Sequence, residues 1–327
     1  MKKSLKEKIL TLVEKDLADI EKAMVKNLTP HLPLVKDVAS HILFAGGKRL
    51  RPLLMVLCAR LCGYNGTYDK TLSTIFEYLH AATLLHDDLI DDAKMRRGQT
   101  VAHKIWNNAT VVLTGDFLLA RSLSIAATTN NPKVIQVVAQ ITEEMSQGEI
   151  QQLHRKGALD LSEAEYMDII YRKTAVLFQG TCHTSALIAE APDIKADALA
   201  DYGLNLGMAF QMTDDLLDYS QDSKALGKGV GADLKEGKLT LPVIYTLSKA
   251  DKKDRIQLED IICNPKFSKS DFKILIKYLK AYGGLAYTQK KAQIHTAKAK
   301  FALNGFEDGQ TRQILTYLAD YALTRKA

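Results

Sequence analysis

Two carboxylate clusters carry most of the chemistry available to this sequence. In the first, His86, Asp87, Asp88, Leu89, Ile90, Asp91 and Asp92 follow a largely apolar run over 76–85. In the second, Asp214, Asp215, Leu216, Leu217 and Asp218 follow the apolar run 208–212. Both have a D-D-x-x-D spacing. On a helix Asp87 and Asp91 point the same way, and like charges so placed cost about 0.2–0.5 kcal/mol, more where a core half-buries them. Each cluster lies toward the C-terminal part of its run, where the helix dipole disfavours anions, so neither is explained as a cap. A solvated acidic face explains one such cluster but not two. Two carboxylate helices brought face to face would form a cage of hard oxygen donors. Without a His/Cys set, that cage suits Mg²⁺ better than zinc, because Mg²⁺ takes a few carboxylates and completes its shell with water and phosphate oxygens.

Cations and glycines accompany the clusters. Gly46, Gly47, Lys48, Arg49, Leu50, Arg51 and Pro52 place three cations within four residues, beside two glycines. Glycine lets backbone approach an anion, and arginine offers a fork matched to phosphate oxygens. Arg96, Arg97 and Gly98 follow the first cluster, and Arg172, Lys173 and Thr174 lie in a helical stretch that otherwise reads as buried. Gly227, Lys228, Gly229 and Gly231 lead through Glu236, Gly237 and Lys238 to Pro242, so Lys228 and Lys238 could reach back to the second cluster. Each group alone is routine surface charge. Together they have the composition needed to hold two diphosphates and their metal ions. The glycines do not form a Walker loop.

The elements that must position these residues are helices. Apolar residues recur at spacings of three and four over 4–27, 72–92, 131–155 and 199–220, and no stretch alternates as a strand does. The seven prolines sit mostly between helices, and no low-complexity segment divides the 327 residues. One domain is expected. Cys58, Cys62, Cys182 and Cys263 read as free thiols, which fits a reducing compartment. The N-terminus lacks a signal-peptide core, and the richest apolar stretch, 53–61, is broken by Arg60. A cytoplasmic protein without stable membrane insertion is expected. The net charge of +6 looks modest and spread along the chain, so no nucleic-acid partner is expected. The Lys-rich part from about Lys249 reads as packing helices.

Seven segments in order resemble the trans-polyprenyl diphosphate synthases: GGKRLRP, EYLHAATLLHDDLIDDAKMRRG, GDFLLARSL, QGEIQQL, YRKTAVLF, FQMTDDLLD and GKGVGADLKEGKLTLP. The resemblance implies an all-α fold, a large single-domain helical bundle around a deep central cavity, normally in a homodimer. It implies that Asp87 and Asp91, with Asp88 nearby, coordinate Mg²⁺ on an allylic diphosphate. Asp214 would bind a further Mg²⁺, with Asp215 and Asp218 as additional ligands. Lys48, Arg51, His80 and Arg97 match the isopentenyl diphosphate pocket. Arg96, Lys173, Lys228 and Lys238 match contacts to the allylic diphosphate, and Thr174 and Gln211 sit near the reacting carbons. Asp87, Asp91, Lys173, Asp214 and Lys228 would carry catalysis. Asn107 departs from the family, where many members have glycine.

The implied chemistry is electrostatic. Charge is drawn onto a departing diphosphate, an allylic cation forms away from water, and the isopentenyl double bond attacks it. Before Asp87 the small residues Ala82 and Thr83 would let a growing chain pass; Ala82 lies about 7.5 Å deeper along the helix. Leu119, Ser122, Leu123 and Ala126 are candidates for the next floor, and a product of about C40, of the quinone side-chain type, is expected. A shorter farnesyl- or geranylgeranyl-length product is the alternative. Terpene cyclases fit less well, because their second motif differs and they need no GGKRLRP. An HD-type phosphohydrolase built on His41, His86, Asp87 and Asp214 leaves most of the cations unexplained. A regulatory subunit of a heteromeric synthase would be expected to lose aspartates.

Overall fold

Polar caps and prolines set many of the helix starts. The structure, a computed structural model, describes residues 4–220 and 231–325. Helices α1 (Leu5–Asn27), α2 (Pro33–Leu43), α3 (Leu50–Leu61) and α4 (Asp69–Ile90) precede a two-residue-strand hairpin, β1 (Met95–Arg96) and β2 (Gln99–Thr100). Then come α5 (Ala102–Ile105), α6 (Asn108–Ala127), α7 (Pro132–His154), α8 (Glu163–Ile170), a π-helical turn over Tyr171–Ala175, α9 (Val176–Ile188) and α10 (Asp193–Asp218). The remainder is α11 (Ala232–Lys235), α12 (Leu241–Lys249), α13 (Lys252–Ile262), α14 (Lys269–Ala281), α15 (Gly284–Ala302), a 3₁₀ turn over Leu303–Gly305, and α16 (Gln310–Thr324). The fold is all-α.

Ser4 and Glu7 close a capping box on α1, and Ser162 with Glu165 and Ser268 with Asp271 do so on α8 and α14. Asn107 is the N-cap of α6, its Oδ1 accepting from the Thr110 N–H at 2.8 Å. That is a task glycine cannot perform. All four periodic stretches are helical, with shifted ends. The start of α4 moves forward to Asp69 because Asp69, Lys70 and Thr71 make a polar first turn before the apolar period begins. Similarly α10 starts at Asp193, directly behind Pro192. Among the described residues the hairpin is the one departure toward strand. Arg97 and Gly98 have φ of 50° and 77°, the backbone a tight type I′ turn demands.

The chain groups into two compact units. Unit 1 comprises Met1–Glu143, Leu177–Gly203 and Lys300–Tyr321; unit 2 comprises Glu144–Val176, Leu204–Ala299 and Ala322–Ala327. In unit 1, α4 is the hub against which α1, α2, α3 and α6 pack. Ile75, Phe76, Tyr78 and Leu79 of α4 are buried, and each such side chain contributes about 1.5–3 kcal/mol. Helix α3 is buried over eight consecutive residues, Pro52 to Ala59. The most apolar long helix is α6, whose mean hydropathy of 1.4 meets the level of a membrane span. It nevertheless carries Asp116 and Arg121, and Leu118, Ser122 and Ile125 make a buried face. In unit 2, Tyr166, Ile169, Met208, Met212, Leu241, Val243, Leu258, Leu275 and Leu279 form the core.

Candidate active site

The two ends of α4 serve different purposes in unit 1. Asp87 lies in its last turn and Asp91 is its C-cap, donating its N–H to the Asp87 carbonyl at 2.9 Å. Both side chains are half-buried. Asp88 turns inward, 4% exposed, and takes the Arg96 guanidinium: Nε lies 2.8 Å from each carboxylate oxygen and a terminal nitrogen 2.7 Å from Oδ1. The hairpin that carries Arg96 is thereby fixed to the aspartate helix. His86 faces α6, where a Cβ on Gly115 would lie 2.2 Å from its Nε2. Only glycine leaves room for that imidazole, which gives GDFLL its physical meaning.

Between α1, α3 and α4 stands Arg49, which sequence reading passed over. It is 6% exposed and takes a left-handed backbone, φ 47°. Its Nε lies 2.5 Å from Glu21 Oε1 on α1, and one terminal nitrogen lies 2.9 Å from Glu77 Oε1 on α4. The carboxylates offset burial and keep the guanidinium charged. On either side, Lys48 is exposed, its Nζ 5.5 Å from the Tyr321 ring centroid, and the Arg51 guanidinium lies 4.6 Å from the Phe178 centroid. Arg97, at the hairpin tip, donates to the Gly46 carbonyl. A Cβ on Gly47 would meet the Arg49 and Arg97 guanidinium nitrogens at 3.2 Å. His80, one turn after Glu77, is recessed among arginines. Burial, then Arg51, Arg97, Arg96 and Arg49, push its pKa well below the ordinary histidine value, so it stays neutral. Lys48, Arg51, His80 and Arg97 therefore all belong to unit 1.

Unit 2 holds the second cluster. Asp214 is partly exposed and faces Arg325 at 2.5 Å. Arg325 is stacked 3.6 Å from the Phe210 ring centroid and donates to the Phe210 carbonyl at 2.7 Å. Asp215 is 3% exposed and accepts from Tyr166 Oη at 2.6 Å and Gln211 Nε2 at 2.8 Å. Gln211 Oε1 in turn accepts from Thr174 Oγ1 at 2.9 Å. Burial and the neighbouring Asp233 raise the Asp215 pKa to about 7, against the pull of the two hydrogen bonds. Asp218 is also buried and accepts the N–H groups of Ala232 and Asp233 at 3.1 and 3.3 Å, which holds the start of α11. Lys173, on the π-turn, donates to Gln152 Oε1 at 2.8 Å and pairs with Glu149. Gly148 lets the π-turn approach closely, since a Cβ there would lie 2.6 Å from the Arg172 Cβ and 2.9 Å from the Lys173 backbone nitrogen. Lys238 pairs with Glu236 at 2.8 Å. Lys228, with Gly227 and Gly229, lies outside the described residues.

Among the described residues no three His, Cys, Asp or Glu side chains converge into a closed ligand set. On α4 the partly exposed carboxylates are Asp87 and Asp91, a turn apart, whereas Asp88 is buried against Arg96. This set fits a hard cation that keeps most of its shell as water and substrate oxygen, as Mg²⁺ does. It does not fit zinc's closed tetrahedron. The chain-length positions divide. Ala82 is fully buried, and Thr83 is half-buried with its hydroxyl on the His80 carbonyl at 2.9 Å. Ser122 is fully buried, its hydroxyl reaching the Leu118 carbonyl at 2.9 Å and the Ile75 carbonyl at 3.3 Å. Leu119 is half-buried, and Leu123 lies on the exposed side of α6. Tyr166, Glu21 and Arg325 carried no legible signal, because each acts through a partner remote in sequence.

Comparisons with known proteins identify the family. The family model for polyprenyl synthetase matches residues 32–279. The octaprenyl diphosphate synthase of Escherichia coli (strain K12) is 35% identical over 319 residues, 98% of each chain. A polyprenyl synthase from Caulobacter crescentus CB15, solved with calcium and isoprenyl diphosphate, superposes with a TM-score of 0.92 at 37% identity over all of both chains. A decaprenyl diphosphate synthase from Rhodobacter capsulatus gives 0.90 at 36%, covering 97% of this chain and 98% of its own.

Proposed function

Because the chain belongs to the polyprenyl synthetase family, we propose that it condenses isopentenyl diphosphate with an allylic diphosphate, head to tail and in trans, to a long-chain product of about C40. That it is a prenyltransferase of the polyprenyl diphosphate synthase type follows from the family itself. One observation carries the finer reading. Within unit 1, the cations Arg51 and Arg97 gather around neutral His80, two turns of α4 from the Asp87 and Asp91 carboxylates. His80 to Asp87 is about 10 Å along the helix, the scale of one five-carbon diphosphate.

In this reading Lys48, Arg51 and Arg97 hold the isopentenyl diphosphate, and neutral His80 can donate to it without adding a charge. Asp87 and Asp91 hold Mg²⁺, which when bound supplies the positive charge that draws the allylic diphosphate away from its carbon. Asp88 and Arg96 position each other and, through the hairpin, Arg97. Lys173, held by Glu149 and Gln152, is assigned to the allylic diphosphate. Thr174 and Gln211 form a polar chain ending on Asp215 and Tyr166. No side chain needs to act as a nucleophile, and the departed diphosphate is the nearest base for the proton lost after coupling. Ala82 is proposed to leave the chain room to grow. A second copy is proposed to cover the exposed apolar face of α6, where Leu113 is 65% exposed and Leu123 38%.

The test is a product assay on the purified chain with farnesyl diphosphate, labelled isopentenyl diphosphate and Mg²⁺, its lipids separated by length. A ladder ending near octaprenyl supports the reading. A stop at farnesyl or geranylgeranyl keeps the reaction and discards the length. No incorporation sinks the catalytic proposal in favour of a subunit that needs a partner. Ala82→Phe should shorten the ladder, with a melting curve to separate that effect from overpacking, which costs about 1–3 kcal/mol.

A further inference from the structure

The net charge is not spread as the composition suggested. Segment 249–300 holds thirteen Lys and Arg against five Asp and Glu, a net +8 in a chain whose total is +6. Within it, α13 is balanced: Lys252, Lys253 and Arg255 stand against Asp254, Glu259 and Asp260, and Arg255 pairs with Glu259 at 2.8 Å. On α15, Lys291 and Lys300 are taken by Glu163 and Asp320 at 2.8 and 2.9 Å, and only Lys290 and Lys298 are left exposed. Helix α14 differs from both. Lys269, Lys273, Lys277 and Lys280 are all exposed, and among the described residues no carboxylate lies within ion-pair distance of them.

At 100° per residue these four lysines fall within about 80° of the helix circumference, a stripe roughly 16 Å long. The far side of the helix, Leu275 and Leu279, is fully buried in the unit 2 core. The single acid of α14, Asp271, is turned to the N-terminus, where it accepts the Ser268 N–H at 2.9 Å. Lys266, exposed just before the helix, prolongs the basic surface. Like charges at i,i+4 oppose helix formation, and Lys269–Lys273 and Lys273–Lys277 are two such pairs. A face that only had to be solvated would intersperse acids, as α13 does.

We propose that the α14 stripe docks the enzyme on an anionic lipid bilayer. Each lysine brought to an anionic leaflet strengthens association about fivefold, so four acting together give binding that assays detect readily. Lysine ammoniums are compact point charges without arginine's phosphate-matching fork, which suits diffuse attraction to a charged plane better than recognition of fixed phosphates. The benefit of docking rests on the reading of the product as a long apolar chain, which leaves a protein into a bilayer far more readily than into water.

The test uses the full-length chain without substrate. It is sedimented with vesicles of phosphatidylcholine alone, or of phosphatidylcholine with phosphatidylglycerol, at low and high salt. Binding should require the anionic lipid, weaken with salt, and fall by about 600-fold in the Lys269→Ala, Lys273→Ala, Lys277→Ala, Lys280→Ala quadruple variant. A control removing four exposed lysines of α1 (Lys6, Lys8, Lys15 and Lys26) should bind as the parent does. Equal binding to neutral vesicles, an equal loss in the control, or full binding by the stripe variant would each overturn the proposal. So would stripe-dependent binding to RNA with none to vesicles. Condensation of farnesyl and isopentenyl diphosphates in detergent, unchanged in the stripe variant, reports separately on the catalytic reading.

Discussion

In both aspartate clusters the second carboxylate is buried: Asp88 is 4% exposed on α4 and Asp215 3% on α10. Asp88 meets a guanidinium, Arg96, at 2.7 Å. Asp215 meets a phenol and an amide, Tyr166 and Gln211, and its pKa rises to about 7. The fifth positions differ as well. Asp91 caps the end of its own helix and stays half-buried, whereas Asp218 is buried holding the start of α11. The same spacing thus turns the same residue inward, against a cation in one cluster and against neutral partners in the other. In the first cluster two carboxylates stay half-buried; in the second two are buried in the architecture of unit 2.

The largest test of that contrast is Asp87→Ala. Turnover should fall by about a thousandfold with the melting temperature unchanged, because the lost group acts on charge that develops only during reaction. Equal loss of stability would place Asp87 with the architectural aspartates. Arg49→Ala should come next. It leaves Glu77 buried without its cation, which costs about 3–5 kcal/mol of unfolding free energy. Denaturant titration would measure this, and any folded fraction should show a raised KM for isopentenyl diphosphate ahead of that for the primer. Tyr166→Phe probes the second cluster and should cost about 1–2 kcal/mol, with a smaller effect on turnover than Asp87→Ala. A reversal of that order would make the second cluster the more chemical of the two.

Histidine separates unit 2's packing from its chemistry. Burial, then Lys298 and Lys291, lower the His295 pKa from 6.5 to about 4. The folded protein therefore holds this imidazole neutral while the unfolded chain protonates it. Its contribution to stability is whole above 6.5 and is lost as pH falls toward about 4, at up to about 1.4 kcal/mol per pH unit. His295→Gln should flatten that part of a stability–pH profile while leaving turnover at neutral pH unchanged. The smallest expected effect is Asn107→Gly, a few tenths of a kcal/mol from the loss of a cap that glycine partly replaces.

Much of this was readable from residue order. The helices over 4–27 and 131–155 lie where the apolar period places them, because burial on one face is written every three or four residues. Asp87, Lys48 and Arg51 stood out because charges next to glycines and behind apolar runs cost stability unless a ligand compensates them. Arg49 did not stand out. Nothing near it in sequence distinguishes a buried, left-handed arginine from its exposed neighbour Lys48, and its two carboxylates are each 28 residues away. The hairpin turn was read as a cationic motif, since two strand residues are too few to leave a period.

The sequence by itself determined the helical class, the family, and the presence of two carboxylate clusters among cations and glycines, because spacing and residue type are local properties. Which aspartates turn inward was settled by the tertiary structure. Asp88, Asp215 and Asp218 are held through Arg96, Tyr166, Gln211 and the start of α11, and Tyr166 lies 49 residues from Asp215. The alignment of the α14 lysines also needed the fold, because a charge count has no direction until a core fixes which side of the helix faces water.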